Sequence, residues 1–416
     1  MTESVARFDL YLNTPETGLI KAARVGLQED HGVLSRFQLR YETAYLDHPQ
    51  AFALDPALLP LTPHDSDIPC RAGGMPAILD DYLPDAWGKR VLARLAFYKK
   101  QQRLREQSPL DMLSMIGNSR IGALQWVPVG ENPAFQLGAD IERIADAEKT
   151  AQAIESENFL DPSADEYSLA YLANAGTGVG GARPKALVQD AGQAYLAKFN
   201  SLSGDVYNNA RVELACLKMA KAAGICMPDA SVLPGINGRE VLLIERFDVV
   251  GDARRHLVTV NGLLKNPQNQ CDRGGAFAYD DVARLIRKYS HDPEADLEQL
   301  LALMLFNAGI NNTDDHERNF SFWHVGIGYA LAPAYDLVPS LSLGQYHIAG
   351  YNYSPYPLMP NQAAGRVFGL SATLVKRVAE QVSASLRDWL AFAESAGVSE
   401  EDSHKINAII SRALSK

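Results

Sequence analysis

Two hairpin signals on either side of one amphipathic helix constrain the fold of this chain more than any other feature. Residues 186–200 contain two apolar runs around the tripeptide DAG, and residues 230–248 contain two more around the dipeptide NG. Asn-Gly between apolar runs is the strongest short-range hairpin signal. Between them, residues 211–225 repeat apolar side chains at helical spacing up to a glycine, which is typical of a helix C terminus. Strand pairs that flank one helix are typical of a small nucleotide-binding lobe.

The regions on either side of this unit have different patterns. The N-terminal region alternates apolar residues in three predicted strands, of which the third covers residues 34–46, and continues into helical patterns. Residues 139–165 are rich in Ala and Glu and predict a helical connector near a domain boundary. Helices dominate from Tyr279 onward, and two amphipathic stretches follow residue 370. We therefore predict an α+β fold with a β-rich N-terminal subdomain over 1–138, a small lobe over 139–250 and a helical lobe over 251–416.

The composition is that of a globular chain and limits what the protein binds. Hydrophobic residues make up 47% of the chain, and 39 Lys and Arg against 50 Asp and Glu give a net charge of −11. This charge opposes non-specific attraction to nucleic acid and to anionic lipid. The four cysteines form no C-x-x-C pair, which argues against a zinc cluster or a disulfide framework. No secretion signal or membrane-spanning stretch is recognisable, so we expect a cytoplasmic protein without a membrane partner.

The segment TDDHERNF, residues 313–320, carries the residues best suited to catalysis. Asp314 and Asn319 have the spacing of the Asp and Asn in the catalytic loop of protein kinases, where the Asp accepts the substrate hydroxyl proton and the Asn holds Mg²⁺. Asp336, beyond the next predicted hairpin, can supply a second oxygen ligand for Mg²⁺. Asp and Asn also cluster in ordinary turns, which is one alternative. A zinc site formed by Asp314, His316 and Asp336 is another, although the spacing of common zinc sites is missing.

A glycine-rich loop, residues 176–185, precedes the first hairpin. Glycines allow backbone N–H groups to approach an anion closely, so the loop is a candidate phosphate cradle. It is not a Walker A loop, because Lys185 is followed by Ala186 rather than by Ser or Thr. A flexible linker between domains is the alternative interpretation of such a stretch.

Lys198 and Glu213 complete a kinase-like order of residues. Lys198 lies on the second predicted strand after the glycine loop, where its ammonium could meet phosphates, and Glu213 lies on the following helix. Either side chain could instead be a solvated surface charge. The order of glycine loop, Lys, Glu, Asp, Asn and Asp along the chain nevertheless matches the layout of a bilobal protein kinase.

These motifs resemble the HipA family, bacterial serine/threonine kinases that act as toxins of toxin–antitoxin pairs. The resemblance rests on the segments YLPDAWGKR, RIGALQWVP, GGARPK, IERFD, NTDDHERNFSF and LAPAYDLVPS. It implies a small β-rich N-terminal subdomain joined to a two-lobed kinase-like core. It also implies ATP and Mg²⁺ as cofactors, with Asp314 as the catalytic base, Asn319 and Asp336 as Mg²⁺ ligands and Lys198 as a contact to the ATP phosphates.

The resemblance implies further nucleotide contacts. Glu245 and Phe247, in IERFD, would supply backbone contacts to adenine, and His316 is grouped with the nucleotide-binding residues although its simplest role is to shape its loop. Lys185 would cover the phosphates together with the glycine-loop residues Gly178, Val179, Gly180 and Gly181. Family members that phosphorylate themselves do so on a serine of this loop, where this sequence has Gly178 with Thr177 beside it.

The resemblance also implies partners. The family's antitoxin is a small helix-turn-helix protein, HipB-like, that binds operator DNA, so contact of this chain with DNA would be indirect. The best-known protein substrate in the family is glutamyl-tRNA synthetase. Two functions from other classes stay open beside the kinase: a catalytically weak, kinase-shaped module that sequesters an antitoxin or regulator, and a metal-dependent hydrolase using Asp314, His316 and Asp336, which would leave the glycine loop and Lys198 without a role.

Overall fold

Strands with every second side chain buried build the N-terminal sheet. The computed structural model describes residues 3–71, 74–100, 103–156, 166–173, 183–201, 205–265, 267, 277–341 and 367–415. The first five strands are Glu3–Thr14 (β1), Gly18–Asp30 (β2), Val33–Tyr41 (β3), Ser66–Pro69 (β4) and Leu124–Pro128 (β5). They form one antiparallel sheet in the order β4-β3-β2-β1-β5. Along β2, Ala23, Val25 and Leu27 are fully buried, as a period of two requires on a half-covered sheet.

Four helices accompany this sheet, at Thr43–Leu46 (α1), Ala77–Asp80 (α2), Ala86–Lys100 (α3) and Pro109–Leu113 (α4). The strand predicted over residues 34–46 is wrong beyond Tyr41, because the chain turns into α1. Tyr41 and Tyr45 stack with ring centroids 5.8 Å apart, and the Tyr45 hydroxyl donates to the Phe52 backbone oxygen. Burial of two aromatic residues four apart suits a helical turn, and an alternating pattern does not reveal it.

The small lobe contains the two predicted hairpins. Its strands are Ala139–Asp140 (β6), Lys185–Asp190 (β7), Gln193–Phe199 (β8), Ala230–Ile236 (β9) and Arg239–Glu245 (β10), in the sheet order β6-β7-β8-β10-β9. Asn237 and Gly238 both have positive φ, 47° and 79°, as the tight turn between β9 and β10 requires. The helices are Ile144–Glu155 (α5), Glu166–Ala173 (α6) and Asn209–Ala222 (α7).

The connector predicted over residues 139–165 is helical only in part. Its first two residues form β6, which pairs in parallel with β7. Gly138 makes this possible, because a Cβ there would lie 2.7 Å from the Val188 carbonyl carbon. Residues 157–165 lie outside the described residues. Each β6 residue pairs with a residue 49 positions later in the chain, and such pairing leaves no signal in local composition.

In the described part of the large lobe, six helices pack around a small sheet. The strands are Val249–Val250 (β11), Ala253–Arg254 (β12), Leu257–Thr259 (β13), Ser321–His324 (β14) and Tyr329–Leu331 (β15), with β13-β14-β15 forming one sheet. The helices are Val260–Leu264 (α8), Tyr279–Tyr289 (α9), Pro293–Gly309 (α10), Ala372–Arg387 (α11), Trp389–Ala396 (α12) and Glu400–Ser415 (α13).

Helix α10 is the axis of this lobe and leads into the motif singled out from the sequence. The Asp292 side chain accepts from the Ala295 N–H and caps the helix, and the predicted apolar face, including Leu300, Leu301 and Met304, is fully buried. The two amphipathic stretches predicted after residue 370 are three helices, because Gly397 at φ 71° separates α12 from α13. The predicted α+β fold is confirmed. Across the residues described, no helix has the length and apolar character to span a bilayer.

Candidate active site

A cavity of about 340 Å³ lies between the two lobes. Its walls come from the start of β7, the end of β8, helix α7, the loop after α10 and the segment after β15. Five of the residues singled out from the sequence line it: Lys185, Lys198, Glu213, Asp314 and Asp336. Elements as far apart in the chain as β8 and the segment after β15 therefore meet at one place.

Lys198 is the electrostatic centre of this cavity. Its ammonium lies 2.6 Å from the Glu213 Oε1 and also contacts the Asp336 carboxylate. Burial alone would lower the pKa of Lys198, but the Asp336 and Glu213 carboxylates outweigh burial and raise it above its ordinary value. Burial raises the pKa of Glu213, an effect that Lys198 opposes. The cavity thus holds a permanently charged ammonium at the end of β8.

Asp314 and Asn319 lie on one loop and are joined by a hydrogen bond. The Asn319 Nδ2 donates to the Asp314 backbone oxygen at 2.6 Å. The Asp314 side chain is 72% exposed toward the cavity. Partial desolvation within the cleft raises the pKa of Asp314; His316 opposes this rise, and the nearby carboxylates of Asp336 and Asp315 add to it. The arrangement presents an accessible carboxylate whose affinity for a proton is increased.

Asp315, the acidic neighbour of Asp314, faces the protein interior. Its Oδ2 accepts from the Tyr279 hydroxyl at 2.8 Å, and this hydroxyl accepts from the Asn307 Nδ2 at 3.0 Å. Asp315 is 1% exposed. Of the two adjacent aspartates, Asp314 alone lines the cavity, which the spacing to Asn319 had indicated.

His316 shapes the loop and does not line the cavity. Its Nδ1 accepts from the Arg318 backbone N–H at 3.2 Å and so begins the short 3₁₀ turn Glu317–Asn319. Its Nε2 lies 3.8 Å from the Asp314 Oδ1. Contact of His316 with the nucleotide stays a prediction. In the structure, His316 has the contacts of a residue that positions the loop.

Asp336 has a backbone conformation that few residues adopt. Its φ is +57°, in the left-handed region, where Asp is among the better tolerated residues. Burial would raise the pKa of Asp336, but Lys198 and then Lys185 outweigh it and lower the pKa below its ordinary value. Asp336 is therefore held as a carboxylate against Lys198. Strained backbone at a polar cleft is a recurrent property of functional sites.

The remaining predicted nucleotide contacts have different surroundings. Lys185 is buried and its ammonium lies 2.5 Å from the Asp85 Oδ2 of the N-terminal domain.

The Glu245 N–H donates to the Asp229 backbone oxygen at 2.8 Å. The Phe247 ring packs edge-on against Trp323, with centroids 5.7 Å apart. Glu245 and Phe247 do not line the cavity, so their contact with adenine stays a prediction. The predicted contacts Gly178, Val179, Gly180 and Gly181 lie outside the described residues.

Asn312 is a site residue that the sequence reasoning missed. Its Oδ1 accepts from the Asp314 N–H at 3.1 Å, and its Nδ2 donates to the Asp336 backbone oxygen at 3.3 Å. One side chain thus ties the Asp314 loop to the Asp336 segment. The pair of asparagines directly before the TDDHERNF segment was the available signal, but either asparagine alone reads as a turn residue.

The donor set fits a hard divalent cation better than zinc. The Asn319 side chain is 8% exposed, and no described residue donates to its Oδ1. An amide oxygen and a carboxylate are the ligands that Mg²⁺ prefers. Asp336 lines the cavity, whereas Asn319 does not and is joined to it through the Asp314 backbone. Among the described residues, no three His, Cys, Asp or Glu side chains form a preassembled metal cluster.

The small lobe is rich in β-strands and holds a buried Lys–Glu pair, and a loop of the helical lobe presents Asp314 to the cleft and bonds it to Asn319. This arrangement defines a protein-kinase-like core. Comparison with known families agrees with this class. The HipA-like C-terminal domain profile matches residues 177–415, and the HipA N-terminal domain profile matches residues 19–127. The chain belongs to the HipA family.

Individual relatives are more distant. Y4mE of Sinorhizobium fredii, named as a candidate kinase, is 29% identical over 187 residues, which cover 43% of this chain and 40% of Y4mE. HipA of Shewanella oneidensis, solved with HipB and operator DNA, has a TM-score of 0.67 at 18% identity, covering 98% of this chain and 96% of that chain. The Helicobacter pylori proinflammatory kinase CtkA has a TM-score of 0.41 at 14% identity, over 57% of this chain and 90% of that chain. The likeness to Shewanella HipA establishes the shared fold.

Proposed function

We propose that this protein is an ATP- and Mg²⁺-dependent serine/threonine protein kinase that phosphorylates a host protein and thereby arrests growth. One observation carries the proposal. The Lys198–Glu213 pair and the carboxylates of Asp336 and Asp314 line a single cavity between two lobes. Asn319 is bonded to the Asp314 backbone in the same loop. Phosphoryl transfer depends mainly on positioning and charge stabilisation, and these are the groups that supply both.

The residues present fit ATP and Mg²⁺. The Asn319 Oδ1 and the Asp336 carboxylate would hold the metal, and Lys198 would contact phosphate oxygens. Bound ATP with Mg²⁺ supplies the phosphoryl group and offsets its charge. Glu213 keeps the Lys198 ammonium in place, 2.6 Å away. Asn312 and Asn319 hold the backbone on both sides of the Asp314 carboxylate.

Asp314 would act as the general base. Its carboxylate is accessible from the cavity, so an acceptor hydroxyl can approach it, and the proton of that hydroxyl would pass to an Oδ atom of Asp314. The raised pKa of Asp314 makes it a better proton acceptor. His316, 3.8 Å from the Asp314 Oδ1, opposes this rise in the pKa of Asp314.

The partner we propose is a small helix-turn-helix antitoxin of the HipB type. Support comes from the Shewanella HipA structure, which contains HipB and operator DNA and shares its fold with this chain over nearly its whole length. The net charge of −11 is consistent with contact to DNA through a basic partner rather than directly.

The deciding experiment measures transfer of labelled γ-phosphate from ATP with Mg²⁺ to proteins of a cell lysate and to purified glutamyl-tRNA synthetase. The Asp314→Asn variant deletes the base at nearly constant shape and is expected to lose transfer. Asp315→Asn is the matched control, because it makes the same chemical change one residue away, on a side chain that faces Tyr279 and not the cavity. We expect it to retain transfer within about threefold of wild type.

The same experiment distinguishes the kinase from the alternative functions. If ATP binds but wild type labels no protein, the chain is a kinase-shaped binding module that acts by sequestering an antitoxin or regulator. Release of free phosphate without any labelled protein would instead point to a hydrolase. Equal transfer by wild type and Asp314→Asn would remove Asp314 from the role of base.

A further inference from the structure

One short segment of the N-terminal domain contacts both lobes of the kinase-like core. It runs from the end of α2 to the start of α3, residues 80–85, and has the sequence DDYLPD. Asp80 and Asp81 meet the large lobe, and Asp85 meets the small lobe. The side chains of Asp80 and Asp85 are only 10% and 9% exposed, so each carboxylate needs a specific partner to be stable there.

Asp80 is bound to the loop that carries the candidate base. Its Oδ2 lies 3.1 Å from an Arg318 nitrogen, and both its oxygens lie 3.0 Å from the Lys265 Nζ. The Asn261 Nδ2 also donates to it at 2.7 Å. Arg318 directly precedes Asn319 within the 3₁₀ turn Glu317–Asn319. A carboxylate of the N-terminal domain therefore holds the turn from which the Asn319 side chain projects.

The contact between α2 and the large lobe is close and combines hydrogen bonds with packing. The Asp81 carboxylate accepts from the Thr259 N–H at 2.7 Å and from the Thr259 hydroxyl at 2.5 Å. Gly262 lies directly on α2, since a Cβ there would be 2.6 Å from the Ala77 Cβ. The position of Asp80 relative to the Asp314 loop is thus set by packing as well as by charge.

Asp85 makes the corresponding contact with the small lobe. Its Oδ2 lies 2.5 Å from the Lys185 Nζ, and its Oδ1 accepts from the Gly88 N–H at 2.8 Å in the first turn of α3. The second bond fixes the carboxylate on the helix. Lys185 begins β7, the strand that follows the glycine-rich loop, and it lines the cavity. The N-terminal domain therefore reaches the phosphate side of the site independently of Asp80.

We propose that Asp80 and Asp85 are positioning residues for phosphoryl transfer, Asp80 holding the Asp314–Asn319 loop through Arg318 and Asp85 holding the start of β7 through Lys185. This inference rests on the proposed kinase function. It assigns the N-terminal domain a part in catalysis: one rigid segment sets the two halves of the site relative to each other. Misplacement of a catalytic group by about 1 Å costs about a hundredfold in rate, so such support has large effects.

Substitution of Asp80 and substitution of Asp85 are expected to change different kinetic constants. Asp80→Asn is expected to lower kcat about tenfold or more and to raise the Mg²⁺ concentration for half-maximal rate, with a small effect on the KM for ATP. Asp85→Asn is expected to raise the KM for ATP, with a small effect on kcat. A structural role alone would lower thermal stability in both variants without this difference between kinetic constants. Loss of kcat and of ATP affinity to the same degree in both would overturn the inference.

Matched controls separate positioning from loss of stability. Lys265→Met removes a cation from the same Asp80 carboxylate but lies outside the Asp314 loop, so kcat should stay within about twofold of wild type, whereas Arg318→Met should match Asp80→Asn. The double variant Asp80→Asn with Arg318→Met should be no worse than either single variant. Additive losses would show that Asp80 does not act through Arg318.

Hydrogen exchange measured without nucleotide tests the role of Asp80 independently of the proposed kinase activity. Backbone amides of residues 312–320 should exchange hydrogen faster in Asp80→Asn than in Lys265→Met or wild type. If wild type transfers no phosphate, the kinase proposal fails and the exchange measurement still decides whether Asp80 holds the loop. Unchanged exchange in a folded Asp80→Asn variant would overturn the inference.

Discussion

The Asn319 side-chain amide donates to the backbone oxygen of Asp314 at 2.6 Å, and this bond joins the two residues within one loop. With its Nδ2 engaged, Asn319 presents an Oδ1 to which no described residue donates. The Asp314 backbone is held from the other side by Asn312, while its carboxylate stays accessible. The residue proposed as the base and the residue proposed as a metal ligand, five positions apart, are thus joined directly by a hydrogen bond.

Asn319→Ala is expected to remove Mg²⁺-dependent transfer while leaving the fold intact. It deletes both the free amide oxygen and the bond to the Asp314 backbone, so we expect kcat to fall about a hundredfold or more. Phosphate transfer over a Mg²⁺ titration measures this, with thermal melting as the test of folding. Retained transfer at an unchanged Mg²⁺ requirement would show that Asn319 is not a ligand.

Lys198→Met is expected to destabilise the protein in a pH-dependent way. The substitution leaves the Glu213 and Asp336 carboxylates close together without their cation, and breaking a buried pair from one side costs about 3–5 kcal/mol. The pKa of each orphaned acid rises in the folded state, so the folded variant takes up protons and its deficit relative to wild type shrinks as the pH falls from neutral toward 5. Urea unfolding of both proteins at two pH values checks this. An equal deficit at both values would contradict it.

His256 is expected to make the protein less stable in mild acid. It is buried between the N-terminal domain and the large lobe, its Nε2 donates to the Leu54 backbone oxygen, and burial lowers its pKa to about 4. The unfolded chain binds this proton near pH 6.5 and the folded chain does not. Stability is therefore lost as the pH falls from about 6.5 to about 4, by on the order of 3 kcal/mol from this group.

His256→Gln provides the matched variant for this prediction, because its amide can donate to Leu54 but does not titrate. Denaturant unfolding between pH 7 and 4 should show a shallower loss of stability in His256→Gln than in wild type. Parallel curves would show that the histidine is not the cause.

Gly262→Ala is expected to loosen the contact between the N-terminal domain and the large lobe. The new methyl group would lie 2.6 Å from the Ala77 Cβ and 3.0 Å from its Cα, and a backbone-anchored clash cannot be relieved by rotation. Overpacking of this kind costs about 1–3 kcal/mol. Ala77→Gly in the same chain removes the closest contact, that with the Ala77 Cβ, so the double variant should regain part of the lost stability in urea unfolding. Failure of this rescue would place the cause elsewhere.

Local signals in the sequence were sufficient for the elements that local interactions specify. The turn at Asn237-Gly238 needs positive φ at two successive residues, and few dipeptides tolerate it. The cap at Asp292 and the apolar face of α10 are likewise readable within one segment. The same holds for Asp314 and Asn319, because their spacing within one loop already places both residues on the same turn.

The tertiary structure alone decided which charges meet. The sequence predicts that Lys185 covers phosphates, but in the structure it pairs with Asp85, one hundred positions earlier in the chain. Asp80 pairs with Arg318, which is 238 positions later. The short strand β6 also depends on a distant partner, β7, which is why local composition predicted a helix there. Local sequence limits the conformations of a segment through sterics and hydrogen bonding, whereas pairing between distant segments depends on which surfaces are buried together when the whole chain folds.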